Sequence, residues 1–379
     1  MLASTLDMHA RSAARENPVR AGVSTYIRAT EMSRVRYIGS KARVVDDILA
    51  LIGPPGDENG VFVDAFCGTG IVGARASERG WSVRINDSLR SAVAMATAQL
   101  VSSADAPFAV LDGYQAALAR LNEAPSENGF FRREYSPAGP MGRRYFTEEN
   151  AARIDAARTL LLSWRREELL NQDEHKLLIA DLISATARVA NIAGTYGCFL
   201  RRWTSSALHP FEMRGRALRD DQVDHESYCG DVSDTPMAVD DVVYLDPPYT
   251  KRQYAAYYHI NETLAHEDEP RLIGKTGLRP WQSKASAYCY KTRALQALED
   301  LVRNVPAARV YLSYSSEGHV ELDDLERSLA PLGDLAVHQL GPVGRYRPNA
   351  AASAAATDVT EYVVELRKSR STLEPLVQA

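Results

Sequence analysis

The chain has 379 residues, of which 45% are hydrophobic and 25% charged, with a formal net charge of −5. That composition fits a globular protein with a large core and room for two or three domain-sized units. No apolar run approaches the roughly 20 residues of a bilayer-spanning helix, which argues against an integral membrane protein. The acidic total also argues against nonspecific coating of nucleic acid, although a basic groove can sit on an acidic body.

Residues 1–33 read as a disordered extension, rich in Ala, Arg and Ser and lacking the apolar stretch of a secretory signal. Cys67, Cys198, Cys229 and Cys289 show no metal-ligand spacing. Free thiols in a reducing cytoplasm are therefore expected, with neither a zinc site nor a disulfide framework.

Ordered structure is expected from Arg36-Tyr37-Ile38-Gly39-Ser40-Lys41 onward, with a helix through Val44, Ile48 and Ile52 that Pro54 and Pro55 stop. Val61 to Asp64 reads as a buried strand entering a glycine turn. A helix over about 71–79 follows, with Gly80 as its C-terminal cap. Trp81, Val83 and Ile85 alternate as a strand that ends at Asn86-Asp87, and a helix covers roughly 91–103. Strand–helix–strand–helix at this spacing predicts a parallel, doubly wound sheet.

The pattern changes over residues 106–225. Helices are expected at about 148–170, with Thr147 as N-cap, and at 174–190. The Arg-rich, Gly/Pro-punctuated segments around them have no strand period, so this stretch reads as an inserted subdomain between 34–105 and 226–379. Strand signals resume at Val242–Leu245 and Val310–Tyr314. Two more, near 335–339 and 359–366, suggest an antiparallel edge, and 341–357 reads as a mobile loop between them.

Three segments carry chemistry. In Asp64-Ala65-Phe66-Cys67-Gly68-Thr69-Gly70 the glycines permit a tight turn and close ligand approach at a strand's carboxyl end. With Gly73 they complete a GxGxxG, and Asp87 stands where ribose hydroxyls are held. A dinucleotide enzyme fits this loop as well as a methyltransferase does, and Asp87 also reads as a solvated strand-end acid. The Asp-x-Phe lead-in favours S-adenosylmethionine, which has no pyrophosphate to place on a helix N-terminus.

Asp246-Pro247-Pro248-Tyr249 follows the apolar strand directly. An exocyclic amino group of adenine is a poor nucleophile because its lone pair is delocalised into the ring. Asp246 and the Pro247 carbonyl can accept hydrogen bonds from that group and redirect the lone pair. The prolines remove backbone donors and fix φ, keeping those acceptors aimed. Tyr249 can stack on a base swung out of the duplex. In the third segment, Cys229-Gly230-Asp231-Val232, Asp231 could accept from the cofactor's adenine amino group while Val232 packs on its face. A plain loop aspartate fits equally.

These residues resemble the Dam-type class of DNA adenine methyltransferases, and those of restriction–modification systems above all. The matching pieces are Arg36 to Lys41, Phe66 to Gly70 and Asp246 to Tyr249, in that order. Similar pieces include Tyr145-Phe146-Thr147, Asn191 to Trp203, Lys251-Arg252-Gln253-Tyr254, Tyr258-His259, Glu262-Thr263 and Tyr311 to Ser315. The resemblance implies a Rossmann-like S-adenosylmethionine-dependent methyltransferase sheet with a mainly helical target-recognition insertion. It places Tyr37 and Lys41 at the cofactor's methionine end, Asp87 at its ribose and Asp246 against the substrate and the cofactor. Double-stranded DNA is the implied partner, alongside a cognate restriction endonuclease.

Arg201, Arg202, Arg214, Arg216 and Arg219, accompanied between them only by the acid Glu212, suit phosphate clamping and guanine reading. Of these, Arg201, Arg202, Arg214 and Arg216, with Arg252 and Tyr254, make up the expected DNA contacts. A solvated helix face explains such a cluster as well, and the same holds for Arg132, Arg133, Arg143 and Arg144. Because the leaving group of such a methyl transfer is neutral, no metal is expected. The alternatives open from sequence are a cytosine amino-methyltransferase, an RNA or protein-amide methyltransferase, a nicotinamide-dependent oxidoreductase that would leave the Asp-Pro-Pro-Tyr tetrad unexplained, and a noncatalytic DNA-binding module.

Overall fold

A computed structural model of the protein describes residues 37–56, 60–343, 359–369 and 371–373. The expected extension at 1–33 and nearly all of the expected loop at 341–357 lie outside the described residues.

The first half of the sheet follows the apolar rhythm of the chain. Helix α1 (Val45–Ile52) buries Val45, Ile48, Leu49 and Ile52 on one face. Strand β1 (Phe62–Asp64), helix α2 (Ile71–Glu78), strand β2 (Val83–Asp87) and helix α3 (Arg90–Leu100) then alternate. Gly80, just past α2, has φ +91°, a left-handed value that favours glycine at a helix end.

The second half adds β3 (His225–Cys229), β4 (Val242–Leu245), α8 (Tyr254–Tyr257), α9 (His259–His266), α10 (Ala294–Asn304), β5 (Arg309–Ser315), α11 (Leu322–Leu329), β6 (Gly333–Val343) and β7 (Val359–Lys368). The seven strands run in the order β3-β2-β1-β4-β5-β7-β6. The first five are mutually parallel, and β7 lies antiparallel between β5 and β6. The expected antiparallel edge is therefore present, and β6 is longer than its sequence signal.

Strand β4 shows why its sequence is a continuous apolar run. Val242 and Tyr244 face the core built with α1, α2 and α3, whereas Val243 and Leu245 face the core built with α10 and α11. Both faces are covered, as parallel sheets require. Strand β3 went unread in the sequence because His-Glu-Ser-Tyr-Cys has no apolar alternation. It is an edge strand paired only with β2, and its residues are half-buried or exposed.

Between β2 and β3 lie α4 (Tyr114–Glu123), α5 (Phe130–Tyr135), α6 (Glu148–Arg166) and α7 (Gln172–Arg188). The Thr147 side chain caps α6 by accepting from the Asn150 N–H, and Asn171 with Glu174 forms a capping box on α7. These helices bury Phe131, Leu161, Leu178 and Leu182 against Ala94, Met95 and Ala98 of α3 and Ile260 and Leu264 of α9. Segment 106–225 thus shares one core with helices on both sides of it in sequence. No helix among the described residues is long and apolar enough to cross a membrane.

Candidate active site

The strand order reverses between β1 and β4, and ligands of open α/β sheets bind at such a switch point, beyond the carboxyl ends of the strands. The two strongest sequence segments leave the sheet there side by side. They border a cavity of about 520 Å³, lined among others by Tyr37, Lys41, Asp64, Phe66, Gly68, Asp87, Asp231, Val232, Asp246, Pro247, Pro248, Tyr249 and Tyr254. The expected cofactor and catalytic residues other than Gly70 are therefore brought to one cavity.

The glycine loop is held from beneath by carboxylates. Asp64 Oδ2 accepts from the Gly73 N–H at 3.1 Å, and Asp87 accepts from the N–H groups of Gly68 at 3.1 Å and Leu89 at 2.9 Å. Gly68 has φ +52° and faces Tyr37, whose ring a Cβ there would meet at 3.1 Å. Gly70 has φ +83°, and a Cβ would lie 2.4 Å from Ala96 Cα on α3. Gly70 is thus demanded by helix packing, while Gly68 borders the cavity. Tyr37 stacks on Tyr258 with centroids 4.5 Å apart. The Tyr254 hydroxyl donates to the Ile38 carbonyl at 2.9 Å, and the Ile38 N–H donates to the Tyr258 hydroxyl at 2.7 Å. These bonds fix the 37–41 segment over the cavity.

Lys41 is 4% exposed, and its Nζ lies 3.0 Å from Asp246 and 3.3 Å from Glu361. It also stands 5.1 Å from the centroid of the Tyr249 ring, whose hydroxyl donates to Glu361 at 3.2 Å. Burial opposes the Lys41 charge, but Asp246, with Tyr249, Tyr244 and Glu361, outweighs it and holds the pKa well above the ordinary lysine value. Burial raises Asp246 to about 6 against the pull of Lys41. Burial likewise raises Asp64 to about 7 and Asp87 to about 6, with backbone N–H donors opposing in each case. Asp64 Oδ1 and Asn86 Oδ1 are buried without a hydrogen-bond partner. Three carboxylates that resist ionisation, with unsatisfied acceptors among them, make a site suited to a ligand carrying positive charge and polar hydrogens.

At the other end of the cavity, Phe66 meets Tyr288 edge-on with centroids 5.9 Å apart, and both, like Val232, are partly buried against the core built with α10 and α11. Asp231 is exposed, and its carboxylate accepts from the Ser233 N–H and hydroxyl. The Tyr288 segment is tied to the tetrad loop by a reciprocal pair. Gln253 Nε2 donates to the Ser286 carbonyl at 3.2 Å, and its Oε1 accepts from the Ser286 N–H at 2.8 Å.

The sequence profile of the D12 class N6 adenine-specific DNA methyltransferase family matches residues 37–326. The chain belongs to this family. It is 33% identical to Type II methyltransferase M.FokI of Planomicrobium okeanokoites, over 88% of this chain and 53% of M.FokI. Identity to Type II methyltransferase M.NlaIII of Neisseria lactamica is 30%, over 75% of this chain and 84% of that protein. Type II methyltransferase M.CviAII of Paramecium bursaria Chlorella virus 1 is also 30% identical, over 88% of this chain and 98% of its own length. The chain thus spans about half of M.FokI and nearly all of M.CviAII.

Within this D12 class chain the expected DNA contacts divide. Arg201, Arg202 and Arg252 are exposed. The backbone around Arg201 and Arg202 is pinned by Asn191, whose side chain bonds the backbone of Arg144, Leu200 and Thr204. The Tyr196 N–H in the same excursion donates to the Tyr257 carbonyl at 3.0 Å, which brings it beside the helix that follows the tetrad. Arg214 is exposed but paired with Glu212. Arg216 is corrected from a DNA contact to a structural residue: it is 3% exposed and bonded at 2.8 Å to Asp181. Arg143 is likewise buried and paired with Glu134. Tyr254 stands in the cavity wall rather than on the outer surface.

Glu361 and Tyr288 went unread, and Gln253 was noted only within Lys251-Arg252-Gln253-Tyr254, without a role of its own. Gln253 follows the tetrad closely enough to be suspected, whereas Glu361 and Tyr288 have no motif of their own.

Proposed function

We propose that this chain transfers a methyl group from S-adenosylmethionine to the exocyclic amino group of adenine in a specific double-stranded DNA sequence. The observation that carries the reading is the joining of Asp-Pro-Pro-Tyr to the glycine loop across one cavity, with Lys41 bonded to Asp246 at 3.0 Å. Membership of the D12 class and 30–33% identity to proteins named Type II methyltransferases support it. A nicotinamide-dependent oxidoreductase gives the tetrad no task.

S-adenosylmethionine supplies an electrophilic methyl group on a sulfonium when bound. Asp64 and Asn86, with their unpartnered buried oxygens, suit its polar hydrogens, and the carboxylate cluster suits its positive charge. Tyr37 and Lys41 would bound its methionine end, Asp87 would hold ribose hydroxyls, and Phe66, Val232 and Tyr288 would enclose its adenine. Asp246 and the Pro247 carbonyl would accept the two hydrogens of the target amino group, turning the nitrogen lone pair out of the ring. Tyr249 would stack on the flipped base, recovering part of an unstacking cost of a few kcal/mol. Holding both partners aligned can supply roughly 7–11 kcal/mol of barrier lowering. Arg201, Arg202 and Arg252 would meet phosphate or base edges, with Arg214 at the margin.

The relatives' names suit a restriction–modification setting, in which a cognate endonuclease would cut the same sequence. Methylation-sensitive long-read sequencing of a plasmid carrying this chain should find N6-methyladenine in one short sequence context. Asp246→Ala should abolish the mark and keep DNA binding. Retention of more than a few per cent of wild-type methylation by that variant, or methylated cytosine in place of adenine, would overturn the assignment.

A further inference from the structure

Glu361 lies beyond residues 37–326, the span matched to the D12 family. Strand β7 carries it opposite Ser315, at the carboxyl end of β5 and on the edge of the sheet from which the tetrad emerges. It shares the register of Val359 and Val363, both buried, and is itself 6% exposed. An apolar side chain would fit that pattern better, because a buried carboxylate carries a large desolvation cost.

Its two oxygens are divided between two partners. Oε2 receives Lys41 Nζ at 3.3 Å, and Oε1 accepts the Tyr249 hydroxyl at 3.2 Å. Lys41 also reaches Asp246 at 3.0 Å. The chain Asp246–Lys41–Glu361–Tyr249 therefore begins and ends on tetrad residues and passes through a single ammonium. Two carboxylates share one positive charge, which leaves the group at net −1 when all three ionise. A fold needing only stability would have no reason to place a second acid on Lys41.

We propose that Glu361 is a positioning residue for methyl transfer: it fixes the Tyr249 ring through its hydroxyl and shares the Lys41 ammonium with Asp246. The proposal rests on the reading of the site as an adenine methyltransferase. In a simple Lys41–Asp246 pair the ammonium would take up more of the aspartate's acceptor strength, and Asp246 would hold the target amino hydrogens less well. With Glu361 drawing on the same ammonium, Asp246 remains a strong acceptor. The hydroxyl bond meanwhile keeps the Tyr249 ring, packed edge-on to Tyr314 at 5.6 Å, in one orientation for the base.

The charged and titratable groups facing Asp246 are Lys41, Glu361 on β7, Asp64 on β1, Tyr244 on β4, and Tyr249 and Tyr254 around α8. Glu361 pushes Asp246 upward. Removing its charge should therefore move the acid limb of the rate profile to lower pH, an effect that mere loosening of the fold would not produce.

The test uses the full chain, plasmid DNA and radiolabelled S-adenosylmethionine. Single-turnover rates are measured from pH 5 to 9 for the wild type, Glu361→Gln, Glu361→Ala, Tyr249→Phe and Glu361→Ala/Tyr249→Phe. Glu361→Gln keeps shape and should lose on the order of tenfold in rate at pH 8, with its acid limb about one pH unit lower. Tyr249→Phe should lose several-fold, and the double variant should be no slower than Glu361→Ala, because both substitutions break one bond. An unmoved acid limb in Glu361→Gln overturns the proposal, and so does additivity of the two single losses. Should Glu361→Ala fail to fold, the acid limb of Glu361→Gln and the rate of Tyr249→Phe decide, and a wild-type rate in Tyr249→Phe is then fatal. A wild-type chain inactive on any DNA would instead mark failure of the functional reading, and the proposal would fall with it.

Discussion

Asp246, Asp64 and Asp87 each hold a proton more tightly than an ordinary aspartate, Asp64 up to about 7 and the other two up to about 6. For Asp246 the consequence is kinetic. In the proposed role only its carboxylate would accept both from Lys41 and from a substrate amino group, so turnover should fall as pH drops through about 6; a rate profile flat to pH 5 would contradict that role. For Asp64 the consequence is a stability linkage. Its folded pKa lies above its unfolded value, so its favourable contribution is present at low pH and disappears as pH rises through about 7. Asp64→Asn should therefore gain thermal stability relative to wild type between pH 5 and pH 8, while losing cofactor affinity. Differential scanning fluorimetry over that range checks the sign. The tetrad was legible because its residue types, set directly after an apolar strand, suit the chemistry, whereas Lys41 was expected at the site only through the family resemblance. Glu361 was not legible, because it meets Lys41 across 320 positions of chain, and in sequence it is one acid in an alternating strand.

At the scale of elements, glycines with similar backbone angles answer to different constraints. Gly80 has φ +91° and only Pro55 Cγ within 4 Å of a Cβ, at 3.7 Å. Gly80→Ala should cost about the left-handed penalty alone, roughly 1–2 kcal/mol. At Gly70 the same penalty is joined by a 2.4 Å clash with Ala96 Cα, so backbone must move. Gly70→Ala should be the more damaging by roughly 1–3 kcal/mol and should weaken cofactor binding by shifting the loop against α3. Chemical denaturation of the two variants compares them directly, and equal losses would remove the packing argument. Sequence alone marked Gly70 as part of a tight turn and Gly80 as a helix cap but could not show the packing demand at Gly70, since the clash partner sits on another helix. The same limit hid β3, which pairs with β2 through backbone bonds while its side chains carry no apolar period. Elements buried on both faces, such as β4 and β5, announce themselves; a polar edge strand does not.

For the whole molecule, the arginine-rich stretch separates into groups with opposite tasks. Arg216 is buried, and Asp181 accepts its guanidinium at 2.8 Å while also accepting from the Tyr114 hydroxyl. That triad ties α4, α7 and the strand-bound return of the chain into the core shared with α3 and α9. Arg216→Ala would strand the Asp181 carboxylate in that core, a loss of roughly 3–5 kcal/mol for a broken buried pair. It should lower the unfolding midpoint of the entire protein, because the 106–225 segment has no core separate from α3 and α9. Arg201 and Arg202 are exposed and form no ion pair among the described residues. Arg201→Ala/Arg202→Ala should leave stability within about 0.5 kcal/mol. If the two arginines neutralise phosphates, the variant should weaken DNA binding and flatten the dependence of log affinity on log salt. The slope should fall by about 0.9 for each phosphate no longer neutralised. A net charge of −5 makes that test sharp, because the acidic body repels DNA and the basic side chains of the contact face must supply the local attraction. Fluorescence anisotropy with a DNA duplex between about 50 and 200 mM salt distinguishes the outcomes. Unchanged slope in the double variant would move the DNA-binding face away from the 191–204 excursion, and a fully stable Arg216→Ala would return that arginine to the surface.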